Sequence, residues 1–161
     1  MGPRVSRCVT RGGDVTLRPA RPEDARRVWH WRNDPETRRA SLDSAPIPLA
    51  THEAWFRESL ARRDRRLYIV LEGGQEGGVI RLDIRDGEAE VSIHLAPERR
   101  GRGLGAAALR VAATEAFSSI GLERLVAVVK ADNHASRKAF LAAAFLVADE
   151  EPLTRLVRVR P

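Results

Sequence analysis

Three glycines at alternate positions, Gly101, Gly103 and Gly105, lie between an alternating strand pattern and a long helical pattern. They close the run Val-Ser-Ile-His-Leu-Ala-Pro-Glu-Arg-Arg-Gly-Arg-Gly-Leu-Gly-Ala over 91–106. Such a turn can hold a pyrophosphate. Glycine lets the backbone take positive φ and approach an anion closely, and the unpaired N–H groups of the following helix's first turn point to the same place. Arg100 and Arg102 would add charge there. The segment lacks the Gly-Lys-Ser/Thr of a nucleoside-triphosphate loop, and its strand alternates, unlike the all-apolar first strand of a dinucleotide-binding fold. An ordinary glycine-rich connection is the remaining alternative.

A second arrangement points to proton transfer. Gly77 to Arg85 and Glu88 to Ala96 read as a hairpin around Asp86-Gly87. One face carries Ile80, Leu82, Ile84, Ala89, Val91, Ile93 and Leu95; the other carries Arg81, Asp83, Arg85, Glu90, Ser92 and His94. A two-residue turn sets Arg85 opposite Glu88, Asp83 opposite Glu90 and Arg81 opposite Ser92. Facing carboxylates repel unless a cation binds between them or one keeps its proton, and a substrate ammonium is such a cation. Glu90, with Asp83, is therefore a candidate to bind an amine and take its proton, directly or through a water. The alternative is a charge ladder in which Arg81 and Arg85 neutralise both acids. His94 shares the face, as a second base or as a hydrogen-bonded wall residue.

The elements that must position these groups follow one order without repeats. Val15 to Arg18 is a strand, and Pro22-Glu23-Asp24 opens a helix whose Ala25, Val28, Trp29 and Arg32 share a face and which stops near Asn33-Asp34-Pro35. A loop with Pro35, Pro46 and Pro48 leads to Thr51, a candidate N-cap, and a second helix through about Arg63. Leu67 to Leu71 is a strand before the hairpin. After the glycine turn, Leu109, Ala112, Ala113, Ala116, Phe117 and Ile120 mark an amphipathic helix that Gly121 ends. Leu125 to Val129 is a buried strand, Asp132 or Asn133 caps a helix through about Ala144, and Leu146 to Ala148 and Arg155 to Arg160 are strands.

Composition sets bounds. With 161 residues, 43% of them hydrophobic, the chain suits one domain over 14–161 behind a flexible tail over 1–13. No apolar run approaches the roughly 20 residues that span a bilayer, and the start lacks a secretory apolar segment, so a cytoplasmic protein without membrane contact is expected. Cys8, the sole cysteine, can form no internal disulfide and is given no catalytic role. The net charge of +6 comes from arginines scattered along the chain, not from a basic run interleaved with aromatics, which argues against nucleic acid as partner. A basic surface suits a polyanionic ligand.

Arg100-x-x-Gly103-x-Gly105, after a strand and before a helix, resembles the central signature of the GNAT superfamily of acetyl-CoA-dependent N-acetyltransferases. The element order β-α-α-β-β-β-α-β-α-β-β extends the resemblance from about Val15 to Arg160. It implies an α/β fold with a mixed sheet of about seven strands and about four helices, splayed between the strand holding Ile93 and the strand holding Val128, with the acetyl-CoA cosubstrate wedged in the gap. Cosubstrate contacts would then come from Ile93, His94, Leu95, Arg100, Gly101, Arg102, Gly103, Leu104, Gly105 and Ala106. Asn133-x-x-Ser136-x-x-x-Phe140-x-x-x-Ala144-Phe145 resembles the second family signature and adds Asn133, Ser136 and Phe140. Ala144 replaces the usual Gly, and Phe140 stands where many members carry a tyrosine that protonates the departing thiolate. That proton would come from water or from Ser136, whose alternative role is to satisfy backbone groups at a helix start; Asn133 has a plain N-cap as its alternative. The resemblance implies no metal, and homodimers are common in the family.

Trp29-His30-Trp31-Arg32-Asn33-Asp34-Pro35, with His52-Glu53-x-Trp55-Phe56 and Arg81-Leu82-Asp83, looks like the branch that acetylates nucleotide-linked amino sugars, as in pseudaminic acid synthesis. Similar Trp-Arg-Asn segments occur in the branch acting on ribosomal-protein N-termini. Trp31, Asn33, His52 and Trp55, at the edges of their helix faces, would border the acceptor together with Asp83 and Glu90. The expected activity is acetyl transfer to a primary amine by direct attack, with a nucleotide-linked amino sugar as leading acceptor. A peptide N-terminus or another small amine is the alternative, and a non-catalytic acetyl-CoA sensor is the third reading.

Overall fold

Apolar alternation and glycine punctuation build eight strands and five helices in the computed structural model, which describes residues 8–161. In chain order these are β1 (Cys8–Thr10), β2 (Gly13–Pro19), α1 (Ala25–Asn33), α2 (Pro35–Ala40), α3 (Leu49–Ala61), β3 (Arg65–Glu72), β4 (Gln75–Arg85) and β5 (Glu88–Leu95). Then follow α4 (Leu104–Thr114), β6 (Arg124–Val129), α5 (His134–Ala142), β7 (Leu146–Asp149) and β8 (Thr154–Val159). One sheet takes all the strands in the order β1-β2-β3-β4-β5-β6-β8-β7. Its pairs are antiparallel except β5 with β6, so the sheet is mixed, as the resemblance implies.

The additional strand is β1, which pairs Cys8 with Val15 and Thr10 with Gly13. The flexible tail expected over 1–13 is thus strand and turn from Cys8 onward; residues 1–7 lie outside the described residues. The additional helix is α2, formed where a proline-rich loop was expected. Asp34 caps it, its Oδ2 accepting from the N–H groups of Glu36 and Thr37 at 3.1 Å each, and Pro35 occupies the first turn, where a missing N–H costs nothing. The next helix begins at Leu49, two residues before the expected cap at Thr51.

Each sheet face has its own core. Ile80, Leu82, Ala89 and Val91 on the apolar hairpin face pack with Leu109, Ala112 and Phe117 of the long helix and with Leu125, Phe140 and Leu156. Burying one such leucine or isoleucine is worth about 1.5–3 kcal/mol. On the opposite face Val28, Trp31 and Phe56 pack against Leu67, Ile69 and Val79. Beyond Thr114 the long helix continues with π geometry through Ile120, and Gly121 at φ 84° closes it. The end of α5 is closed by the N–H of Phe145 donating to Phe140 O, with Ala144 at φ 66°. The family's glycine position keeps its left-handed backbone here despite the alanine.

Asp24 fixes where α1 enters. Its carboxylate is 2% exposed and accepts from Arg18 Nη1 and Nη2 and from Arg21 N, each at 2.8 Å. Burial opposes its ionisation, but the hydrogen bonds from Arg18 and Arg21 outweigh burial and hold the carboxyl below its ordinary 3.8. The depressed value means that this stabilisation is present above the unfolded-state pKa and is lost as pH falls through the folded one. Asp24→Ala is expected to cost about 3 kcal/mol at neutral pH in urea denaturation, with the gap to wild type narrowing below about pH 4.

Candidate functional site

Strands β5 and β6 pair at only three positions, Glu88 with Arg124, Ala89 with Leu125 and Glu90 with Val126, and then part. The hairpin register decides what the gap exposes. Arg85 faces Glu88 across a turn in which Asp86 and Gly87 both have positive φ, so Glu88, Glu90, Ser92 and His94 exchange main-chain bonds with β4. The main-chain groups of Val91, Ile93 and Leu95 therefore point toward β6, and past Glu90 they have no strand partner on that side. A cleft of about 790 Å³ occupies the gap.

The glycine turn closes one end of this cleft. Gly101 and Gly103 have φ of 72° and 80°, and a Cβ on either would meet no atom within 4 Å. Ala107 N is the first to bond back into α4, to Gly103 O at 3.2 Å, which leaves the preceding N–H groups free for an anion. Gly101, Gly103, Leu104, Gly105 and Ala106 all line the cleft, as do Ile93, His94 and Leu95. This unobstructed turn beside a strand with unpaired amide groups fits a pyrophosphate followed by an extended, amide-bearing chain, the chemistry of coenzyme A.

The two arginines of the turn differ, and only Arg102 departs from expectation. Arg102 is exposed and lies outside the cleft lining. Arg100 lines the cleft, but its guanidinium is engaged by Asp34 Oδ2 at 2.8 Å, Glu36 Oε2 at 2.9 Å and Thr37 Oγ1. The Arg100 hydrogen bond holds the Asp34 carboxyl below its ordinary range, against burial. Because Asp34 is already oriented as the α2 cap, Arg100 straps α2 to the glycine turn.

On the other bank, Asn133 combines two roles. Its Oδ1 accepts from Ser136 N at 3.1 Å as an N-cap, and its Nδ2 donates to Ala40 O at 3.3 Å. Ser136 lines the cleft with its hydroxyl unpartnered among the described residues. Phe140 is 2% exposed and stacks edge-on against Phe145 with centroids 5.0 Å apart, so this position supplies an apolar wall and no acid. Tyr68 does not replace the missing tyrosine: burial and Glu115, its hydrogen-bond partner, push its hydroxyl up to about 12, and it lines neither cavity.

A second cavity of about 330 Å³ adjoins the cleft. Val28, Ile47, Phe56, Leu67 and Val79 make it apolar, and Arg32, Arg81, Ser92 and His94 belong to its wall and to the cleft's. Of the residues expected around an acceptor, His52 and Trp55 line it. His52 is 2% exposed, its Nε2–H donates to Ala25 O at 2.9 Å, and burial lowers its pKa. Trp31 does not line it. The phase of α1 puts Trp31 with Val28 in the core, 6% exposed, while Trp29 is half-buried with Nε1 donating to Ile47 O at 2.7 Å. Asn33 is a latch on Ile47, accepting from its N–H at 2.7 Å and donating to its carbonyl at 3.0 Å, and lines neither cavity.

Asp83 and Glu90 are register partners, as expected, but their charges are handled differently. Asp83 is held by Arg65 at 2.5 Å and Arg81 at 3.0 Å, and it lines neither cavity. Arg85 turns to Asp86, leaving Glu90 exposed in the cleft wall with no ion pair among the described residues. The charge ladder is half built. Among the described residues His94 has no hydrogen-bond partner, so it is no hydrogen-bonded wall residue; burial, and then Arg32, Arg81 and Arg100, push its pKa down to about 3. The sequence reading missed Arg32 as a site residue. The available signal was an arginine at an apolar phase of α1.

The family model described as Acetyltransferase (GNAT) domain matches residues 14–145. Among solved structures, a spermidine N-acetyltransferase from Vibrio cholerae in complex with CoA and spermine superposes with a TM-score of 0.82 at 16% identity, covering 90% of this chain and 95% of that one. AAC(6')-Ib in complex with paromomycin and acetyl-CoA gives 0.80 at 19% identity over 91% and 93%. Mycobacterium smegmatis RimJ in complex with CoA-disulfide gives 0.78 at 17% over 96% and 86%. At these identities the likeness is one of fold. No curated protein matches the sequence. Two substitutions separate the turn's backbone from its arginine. Gly103→Val is expected to weaken coenzyme A binding at least about tenfold in calorimetry, whereas Arg100→Gln, whose guanidinium is already engaged, changes it less than about threefold.

Proposed function

Because the chain belongs to the GNAT acetyltransferase domain family and so is an acetyl-CoA-dependent amine N-acetyltransferase, we propose that its acceptor is a small-molecule primary amine held in the 330 Å³ cavity. The amino group of a nucleotide-linked amino sugar is the leading case, attacking directly in a ternary complex. One observation carries this reading: Arg32, Arg81, Ser92 and His94 wall both cavities, so an acceptor whose body fills the smaller one can extend its amine into the cleft where the cosubstrate fits. Trp55 supplies an aromatic surface for a sugar or base.

The cosubstrate supplies an activated acetyl carbon; the chain supplies position and proton movement. An arriving ammonium must lose a proton before its nitrogen can form the amide bond. Glu90, a carboxylate of the cleft wall without an ion pair among the described residues, accepts that proton directly or through a water. As the carbon–sulfur bond breaks, the nitrogen gives up its second proton to water and the departing sulfur takes one, either from water or from the Ser136 hydroxyl, which regains its own from that water. His94 stays neutral throughout the ordinary pH range and so adds no cation beside the amine. A polyamine or aminoglycoside acceptor, as those neighbours hold, is a second reading that the unpaired Glu90 favours.

Purified protein is expected to add one acetyl group, by mass spectrometry with coupled thiol release, to a UDP-linked 4-amino-4,6-dideoxy sugar and not to a ribosomal N-terminal peptide. Glu90→Gln should lower turnover at saturating acceptor by about 100-fold. An unchanged rate and pH profile would remove Glu90 from the base role, and acetylated peptide would move the acceptor to the alternative branch.

A further inference from the structure

The charge of the acceptor is written on the wall between the two cavities. Among the described residues, no Asp or Glu lines the smaller cavity, whereas Arg32 and Arg81 do. Among the described residues Arg32 has no carboxylate ion partner: its Nη2 donates to the backbone carbonyl of Asp43 at 3.1 Å, and its Nη1 is buried with no hydrogen-bond partner there. Burial lowers the pKa of this guanidinium, Asp43 opposes the shift, and Arg81 and Arg38 add to it. A buried donor without an acceptor is costly, and so are like charges held together; an anion between them relieves both.

Arg81 is only partly neutralised. Its Nε lies 3.0 Å from Asp83 Oδ2, but out of hydrogen-bond alignment, and Asp83 is shared with Arg65. Trp55 lies within 5.8 Å of the Arg81 guanidinium and 5.5 Å of the Arg65 guanidinium, measured to its ring centroid, which fixes a cationic edge against an aromatic floor. The neutral His94 adds no opposing charge. An ammonium in this cavity would meet two guanidinium groups and no carboxylate. A carboxylate or phosphate would meet donors that lack an acceptor.

We propose that Arg32 and Arg81 form an anion subsite, so that the acceptor carries a carboxylate or phosphate on an apolar or aromatic body, with its amine directed to the cleft and Glu90. This rests on the N-acetyltransferase reading and narrows its substrate class. It excludes polycations, and it requires only one anionic group of the acceptor, not a nucleotide as such.

Four acceptors with one body test it: 4-(aminomethyl)benzoate, 4-(aminomethyl)phenylphosphonate, 4-(aminomethyl)benzamide and 1,4-bis(aminomethyl)benzene. The expected order of kcat/KM places one of the two anions first, identifying carboxylate or phosphate, at about 30-fold or more over the amide, with the diamine last. In Arg32→Gln, and separately in Arg81→Gln, the anion-to-amide ratio falls toward one, a ratio that altered folding alone would not move. A diamine accepted as well as the anions overturns the subsite. Calorimetry on the CoA-saturated protein separates the two claims. Tighter binding of an anion than of the diamine, with no acetyl transfer to any acceptor, upholds the subsite while the transferase reading fails. Equal binding overturns the subsite whatever the turnover.

Discussion

The parting of β5 from β6 after Glu90 and Val126 is the constraint on which the rest depends. A sheet that stayed closed would satisfy the main chain of Val91, Ile93 and Leu95 and leave nothing for a ligand to pair with. Open, it costs those bonds and yields a row of directional donors and acceptors beside the free N-terminus of α4. The gap is held rather than loose. Val91 on one bank and Val129 on the other belong to one buried cluster that also holds Leu104 and Phe140. β6 keeps its full pairing with β8, so the opening does not unravel the sheet.

Charge is distributed around that opening with a clear division. Acids near the cleft mouth are mostly spent on structure: Asp34 and Glu36 on Arg100, and Asp83 on Arg65 and Arg81. Glu90 and Asp43 are the exceptions, lining the cleft without an ion pair among the described residues. The guanidinium groups of Arg32 and Arg81 remain on the wall between the cavities, and burial, reinforced by their field, keeps His94 neutral. In the proposed acceptor complex Glu90 serves the amine and the two guanidinium groups serve the anion, a polarity that would orient a molecule carrying both signs of charge.

Much of the fold was legible because its signals are local. The Asp86-Gly87 turn gave the hairpin register residue by residue, and the glycine turn with its flanking patterns gave the splayed site. Long-range pairing was harder to read. Nothing in the segment before Gly13 announces β1, and Asp34-Pro35 signals a helix end as readily as the helix start it proves to be. In the site, residues were legible where backbone conformation chose them, as at Gly101, Gly103 and Asn133. They were harder to read where a side chain had two sets of partners in reach. Arg100 faces an anion cradle on one side and a capped aspartate on the other, and spacing cannot tell which wins. Trp31 and Trp29 differ by 200° around one helix, so a small error in the helix start exchanges core and edge.

Amide hydrogen exchange by NMR, with and without coenzyme A, tests the central claim most directly. If the cosubstrate occupies the gap and pairs with the freed strand edge, the amides of Val91, Ile93 and Leu95 and those at the start of α4 slow markedly on binding, while their β4-bonded neighbours Ser92 and His94 change little. Saturable binding that leaves Val91, Ile93 and Leu95 exchanging as fast as before would contradict the account.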